Sequence, residues 1–212
     1  MVKVEFIWSW IYQSSVLSLT TKEKYDFETY DSYVREFIVM VQKEWIKNGD
    51  NILKYCENIT GLIWKKDIRC YVAKIANIHP ISDPLTIPIQ IEMNGKAFTL
   101  SVERYIDMVI HELIHNLFIQ NEQEIGDYFD KIMKKYLDEE FDTIIHLLLH
   151  AIHKKIFLRF FDEKRLKEEK DMCEYYPTYK RSWEIVERCG EDTIIKEFRS
   201  YISKSGLPKA NA

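Results

Sequence analysis

No apolar run in this chain reaches the roughly 18 residues that a membrane-spanning helix needs. There is no basic excess either. Its 34 Asp and Glu outweigh 30 Lys and Arg, for a net charge of −4, so the electrostatic footprint of a nucleic-acid-binding surface is missing. Lys154-Lys155 and Lys164-Arg165 are local pairs that fit solvated helix faces. The four cysteines, Cys56, Cys70, Cys173 and Cys189, form no C-x-x-C pair and read as reduced structural thiols. A Cys173–Cys189 disulfide stays open and would imply an oxidising compartment. The first eleven residues carry a Glu inside their apolar stretch and no small-residue cleavage site, so they do not read as a signal peptide. These absences point to a cytoplasmic protein with neither a membrane nor a nucleic acid as partner.

What the chain does have is apolar and aromatic material. With 46% apolar residues, including 5 Trp, 13 Tyr and 11 Phe, it can bury a substantial core, which excludes disorder. Its length fits one domain over residues 1–203, with a fraying tail at 204–212. No internal repeat is visible. An N-terminal strand and helices occupy 1–62, a sheet and a central helix 68–120, and helices 122–203.

Alternation of Val2, Val4, Phe6, Trp8 and Trp10 predicts a strand over 2–12. Val34, Phe37, Ile38 and Val41 recur at helical spacing within 26–58, with a break at Asn48-Gly49-Asp50. Residues 68–75 form a strand. Pro80, Pro84 and Pro88 make 77–88 a loop that leads into a strand where Ile87, Ile89 and Ile91 alternate. Pro88 favours an edge position there, because it donates no ladder bond. Asn94-Gly95 is a strong hairpin signal, with 96–100 as the return strand. Ser101 is the N-cap of a helix reaching Gln120. Further helices are predicted over 122–137, 139–160, 178–189 (ended by Gly190) and 192–203. The charged run 164–170 is a solvated helix end or turn. The fold class is α+β: a small mixed or antiparallel sheet with an edge hairpin, packed on a buried helix and followed by a helical C-terminal half.

That buried helix carries His111-Glu112-Leu113-Ile114-His115. Residues i and i+4 share one helix face, so His111 and His115 can bind one Zn²⁺, and Glu112 can take a proton from the zinc-bound water. A three-position motif arises by chance in such a chain on the order of one time in a hundred. The apolar flanks Met108-Val109-Ile110 and Leu117-Phe118-Ile119 mark a core helix, which chance histidines on a surface helix would not share.

Catalytic zinc takes three protein ligands and keeps one position open, so a third must lie elsewhere. Five of the six histidines fall between 111 and 153. His146, His150 and His153 share one face of an apolar helix, where they need partners. His150 is favoured as third ligand, being central and beside Ala151, with His146 close behind. His153, next to Lys154-Lys155, is expected nearer the solvent end. Of these, His146 or His153 can instead orient a ligand or polarise the substrate carbonyl. Core histidines satisfied by backbone or by Asp142 are the bland alternative. Glu122, Glu124, Glu139 and Glu140 are carboxylate alternatives for the third position.

At His111, Glu112 and His115, with the Asn94-Gly95 hairpin ahead of them, the chain resembles the zincin superfamily of zinc metallopeptidases over residues 68–155. The metzincin extension requires Gly and His where this chain has Phe118 and Asn121. The gluzincin glutamate sits on a later helix, whereas Glu122 and Glu124 follow His115 too closely. The resemblance implies a hydrolase acting on a peptide or protein substrate, with His111 and His115 as zinc ligands and Glu112 as general base. It leaves the third ligand open. The edge strand near 87–91 is expected to take an extended substrate by strand addition. Tyr175, Tyr176 and Tyr179 are oxyanion stabilisers by residue type alone. Two other classes compete: a closed structural zinc site of His111, His115, His146 and His150, and a metal-free helical interaction protein. The sequence sets no oligomeric state.

Overall fold

Alternation at the N-terminus yields a strand only over Val4–Ile7 (β1) in the computed structural model, which describes residues 2–20, 27–74, 78–93 and 95–204. The strand expected over 2–12 stops early because Ser9 starts a helix. Its hydroxyl accepts from the Tyr12 amide at 3.3 Å and its carbonyl from the Gln13 amide at 2.9 Å, as an N-cap residue does. Trp10–Thr20 (α1) follows, with Trp10 and Ile11 exposed.

The long helical stretch divides where expected, into Phe27–Trp45 (α2) and Gly49–Thr60 (α3). Val34, Phe37, Val41 and Trp45 form the buried stripe of α2. A Cβ on Gly49 would lie 2.2 Å from the Trp45 ring, so glycine here is a packing requirement.

Five more strands follow: Ile68–Ala73 (β2), Ile81–Ser82 (β3), Leu85–Pro88 (β4), Gln90–Met93 (β5) and Lys96–Thr99 (β6). Four make a mixed sheet in the order β1-β2-β4-β3, with β2 parallel to β1 and β4, and β3 antiparallel to β4. This corrects two expectations. The stretch 77–88 is not simply a loop, since it holds β3 and β4. The strand ending at Pro88 is interior, fully buried, and paired with β2 on one side and β3 on the other. Proline is tolerated because the Ile89 amide donates to Ala73 at 2.7 Å. Successive residues alternate their hydrogen-bonding direction. Pro88 therefore turns its missing donor to the other side, past the end of β3, whose pairing stops at Thr86.

β5 and β6 form the expected hairpin in register Met93↔Lys96, with Gly95 at φ +72°. Asn94 of the turn, residues 75–77 and the tail beyond Lys204 lie outside the described residues. Ser101 caps Val102–Gln120 (α4), accepting from the Arg104 amide at 3.3 Å.

Helices then dominate: Glu122–Lys135 (α5), Phe141–Phe160 (α6), Glu163–Cys173 (α7), Pro177–Cys189 (α8) and Glu191–Lys204 (α9). The charged run 164–170 is helical within α7, because Asp162 caps it by accepting from the Arg165 amide at 2.7 Å. The fold is α+β with a helical C-terminal half.

Within the span expected as one domain, the chain divides into two compact units, Met1–Asp50 with Lys66–Asn116, and Asn51–Lys65 with Leu117–Ala212. In the first, the Tyr105 hydroxyl of α4 donates to the Ile87 carbonyl of β4 at 3.3 Å, and the Tyr105 ring meets Phe37 edge-on at 5.1 Å. In the second, α6 is the central helix, packed against α5, α7, α8 and α9.

Gly49→Ala should lower stability by about 1–3 kcal/mol through overpacking against Trp45. Gly126→Ala, at an exposed position of α5 with nothing within 4 Å, should raise it by about 0.5–1 kcal/mol. Urea denaturation of both variants measures this, and equal effects would contradict the Trp45 packing.

Candidate metal centre

α4 is buried nearly all round, by Tyr105, Ile106, Val109, Ile110, Leu113, Ile114 and Leu117. Inside this apolar helix sit polar side chains that a core position would otherwise reject. His111 is 7% exposed, Glu112 8% and Asn116 3%. His111 and His115 stand one turn apart with ring centroids 5.2 Å apart, and they bring one ring nitrogen each within 4.8 Å of the other. The helical spacing therefore does what the motif implied: it places two imidazoles on one face.

Glu112 is held from the sheet. The Ser82 hydroxyl on β3 donates to Glu112 Oε2 at 2.5 Å, and the Asn116 side-chain amide donates to the Ser82 carbonyl at 2.7 Å. Burial pushes the Glu112 carboxyl up to about 7, opposed by the Ser82 hydrogen bond. Asn116 lies one turn after Glu112, which the sequence could have flagged. Ser82, 30 residues away, carried no such signal.

In the second unit, α6 presents His146, His150 and His153, all buried. His146 Nδ1 lies 2.6 Å from the Asp142 carbonyl. A carbonyl only accepts, so the proton sits on Nδ1 and Nε2 offers its lone pair. Burial lowers the pKa of His146, against the Asp142 carbonyl that raises it. The Tyr179 ring stands 4.1 Å from it, whereas Tyr175 is exposed. His150 stacks flat on Trp183, at 4.4 Å and 10°, with Nδ1 3.1 Å from the Ser182 hydroxyl.

His153 is not near solvent, contrary to expectation. It is fully buried beside Phe157 and Trp183, and burial, helped by Arg165, pushes its pKa down to about 3. The neighbouring lysines misled the reading. Lys154 and Lys155 turn away to Glu187, Glu191 and Asp192, while Glu169 of α7 lies within 4.8 Å of His153.

Among the described residues, side chains that could contribute to holding a metal ion are His111 and His115 in the first unit, and His146, His153 and Glu169 in the second. The carboxylates weighed earlier are not among them. Glu139 is clamped by Arg181 at 2.7–3.1 Å, and Glu124 by Lys65 at 2.5 Å. No helix among the described residues is long and apolar enough to cross a membrane. The chain matches no protein-family model, no curated protein and no solved structure.

Removing the Ser182 hydroxyl deletes a fully buried hydrogen bond to His150. Ser182→Ala should therefore cost about 1–3 kcal/mol in chemical denaturation. A loss below about 0.5 kcal/mol would mean that the contact contributes nothing net.

Proposed function

We propose that the chain is a zinc-dependent metallopeptidase of zincin type that hydrolyses peptide bonds in a peptide or protein substrate. His111 and His115 are two of its zinc ligands and Glu112 is its general base. The observation that carries this reading is Glu112 itself: a buried carboxylate between two histidines one helical turn apart, fixed by a serine hydroxyl. A closed structural zinc site needs no carboxylate at that position.

The donor set suits zinc. Neutral imidazole nitrogens are ordinary zinc ligands, and a catalytic zinc takes three protein ligands and keeps one coordination position open. Of the α6 histidines, His146 has a fixed tautomer, because the Asp142 carbonyl commits its proton to Nδ1 and leaves Nε2 unprotonated. The hydroxyl facing His150 Nδ1 can donate or accept, and fixes no tautomer.

When bound, zinc would polarise the scissile carbonyl and acidify water. Glu112 takes the proton of the attacking water and returns it to the leaving amine. The rigid turn of α4 keeps Glu112 in register with both motif histidines. Tyr179 packs against the His146 ring and limits its rotation. Four cysteines outside any disulfide suit the cytoplasmic setting proposed with this activity.

Untagged protein should carry one zinc per chain. His111→Ala and His115→Ala should each lose it, as read by elemental analysis. Zinc retained in full by either variant would contradict the ligand assignment. On a library of quenched fluorescent peptides, Glu112→Gln should retain zinc and lose at least about 100-fold in turnover. A fully active Glu112→Gln, or a zinc-loaded wild type that cleaves no member, contradicts the peptidase reading. Chelation should abolish cleavage with the fold intact; melting upon chelation would favour a structural zinc.

A further inference from the structure

Ser82 is fastened twice to one face of α4. Its hydroxyl donates to Glu112 Oε2 at 2.5 Å, and its carbonyl accepts from Asn116 Nδ2 at 2.7 Å. Both helix residues are buried and lie one turn apart. The strand that carries Ser82 has two residues and, among the described residues, pairs only with Leu85 and Thr86. Such a strand has little pairing of its own to set its position. The Asn116 amide sets the backbone at Ser82, and that backbone sets the hydroxyl.

We propose that Ser82 is a positioning residue for Glu112, with Asn116 holding Ser82 in place. This rests on Glu112 being the general base. A hydroxyl that donates to a carboxylate makes a charge-assisted hydrogen bond. It engages one carboxylate oxygen, Oε2, and fixes rotation about the last side-chain torsion, which is otherwise broad. Oε1 then points in one direction, where the proton of the attacking water has to be taken. A general base contributes about 10²–10⁴-fold, and misplacement by 1 Å can cost about 10²-fold. Loss of the hydroxyl should therefore remove a substantial part of what Glu112 supplies. A purely architectural link between β3 and α4 would instead change stability and leave turnover alone.

The test compares Ser82→Ala, Ser82→Thr and Glu112→Gln as zinc-loaded proteins, on a peptide cleaved by the wild type. Ser82→Ala should lower kcat by about 10–100-fold with KM within about twofold. Ser82→Thr, which keeps the hydroxyl on a strand-favouring residue, should recover most of it. Zinc content should be equal in all. A second measurement needs neither zinc nor substrate. In the metal-free proteins, the melting shifts of Ser82→Ala and Glu112→Ala should fail to add in the double variant. Additive shifts would overturn the proposal. So would a Ser82→Ala enzyme of wild-type kcat beside an inactive Glu112→Gln, which leaves the general-base reading standing. Equal impairment of Ser82→Ala and Ser82→Thr would also overturn it. Activity retained by Glu112→Gln would bring down the general-base reading, and this inference with it.

Discussion

Every polar group that α4 buries must find its partner inside the protein, and the architecture of the first unit follows from that constraint. An unsatisfied buried donor or acceptor costs about 1–3 kcal/mol, and this helix carries several at roughly four-residue spacing. Asp107 meets Arg104 at 3.3 Å, Glu112 meets Ser82, and Asn116 meets the Ser82 carbonyl. Near the helix end, Gln120 accepts from the Lys65 amide at 2.7 Å. The stripe is thus matched residue by residue, and two of its partners come from a single serine on the shortest strand. The histidines of the motif stand in the same stripe.

The helical half answers the same constraint by different means. α6 is apolar around much of its circumference. His146 and His150 are met by a backbone carbonyl, a serine and aromatic rings, and His153 lies against Phe157 and Trp183. The contacts are unequal in kind. A carbonyl fixes a tautomer, a hydroxyl leaves it open, and a flat ring contact limits ring motion without choosing either.

Local signals in the sequence were the dependable ones. Asn94-Gly95 announced a hairpin and Ser101 announced the start of α4, because a two-residue turn and an N-cap are each written within a few residues. The break at Gly49 was visible too, although its reason, the Trp45 ring folded back over it, was not. Three prolines between 80 and 88 hid β3 and β4, since a two-residue strand has no period and an interior strand ending in proline runs against the usual rule. Ser9 ended the first strand where alternation would have continued it. The lysines after His153 suggested solvent, because sequence cannot tell that α7 lies over that turn while the lysines reach outward. The motif residues were legible because helical geometry alone brings them together. Ser82 was not, since only the tertiary fold carries it to Glu112.

Anomalous diffraction at the zinc edge, from crystals of zinc-loaded protein, tests directly the proposal that His111 and His115 hold a zinc ion with a coordination position left open. The expected result is a peak about 2.0–2.1 Å from a ring nitrogen of both histidines, with a third protein ligand and one non-protein position. A peak bound by four protein side chains, or zinc-soaked crystals with none between these two rings, would contradict it.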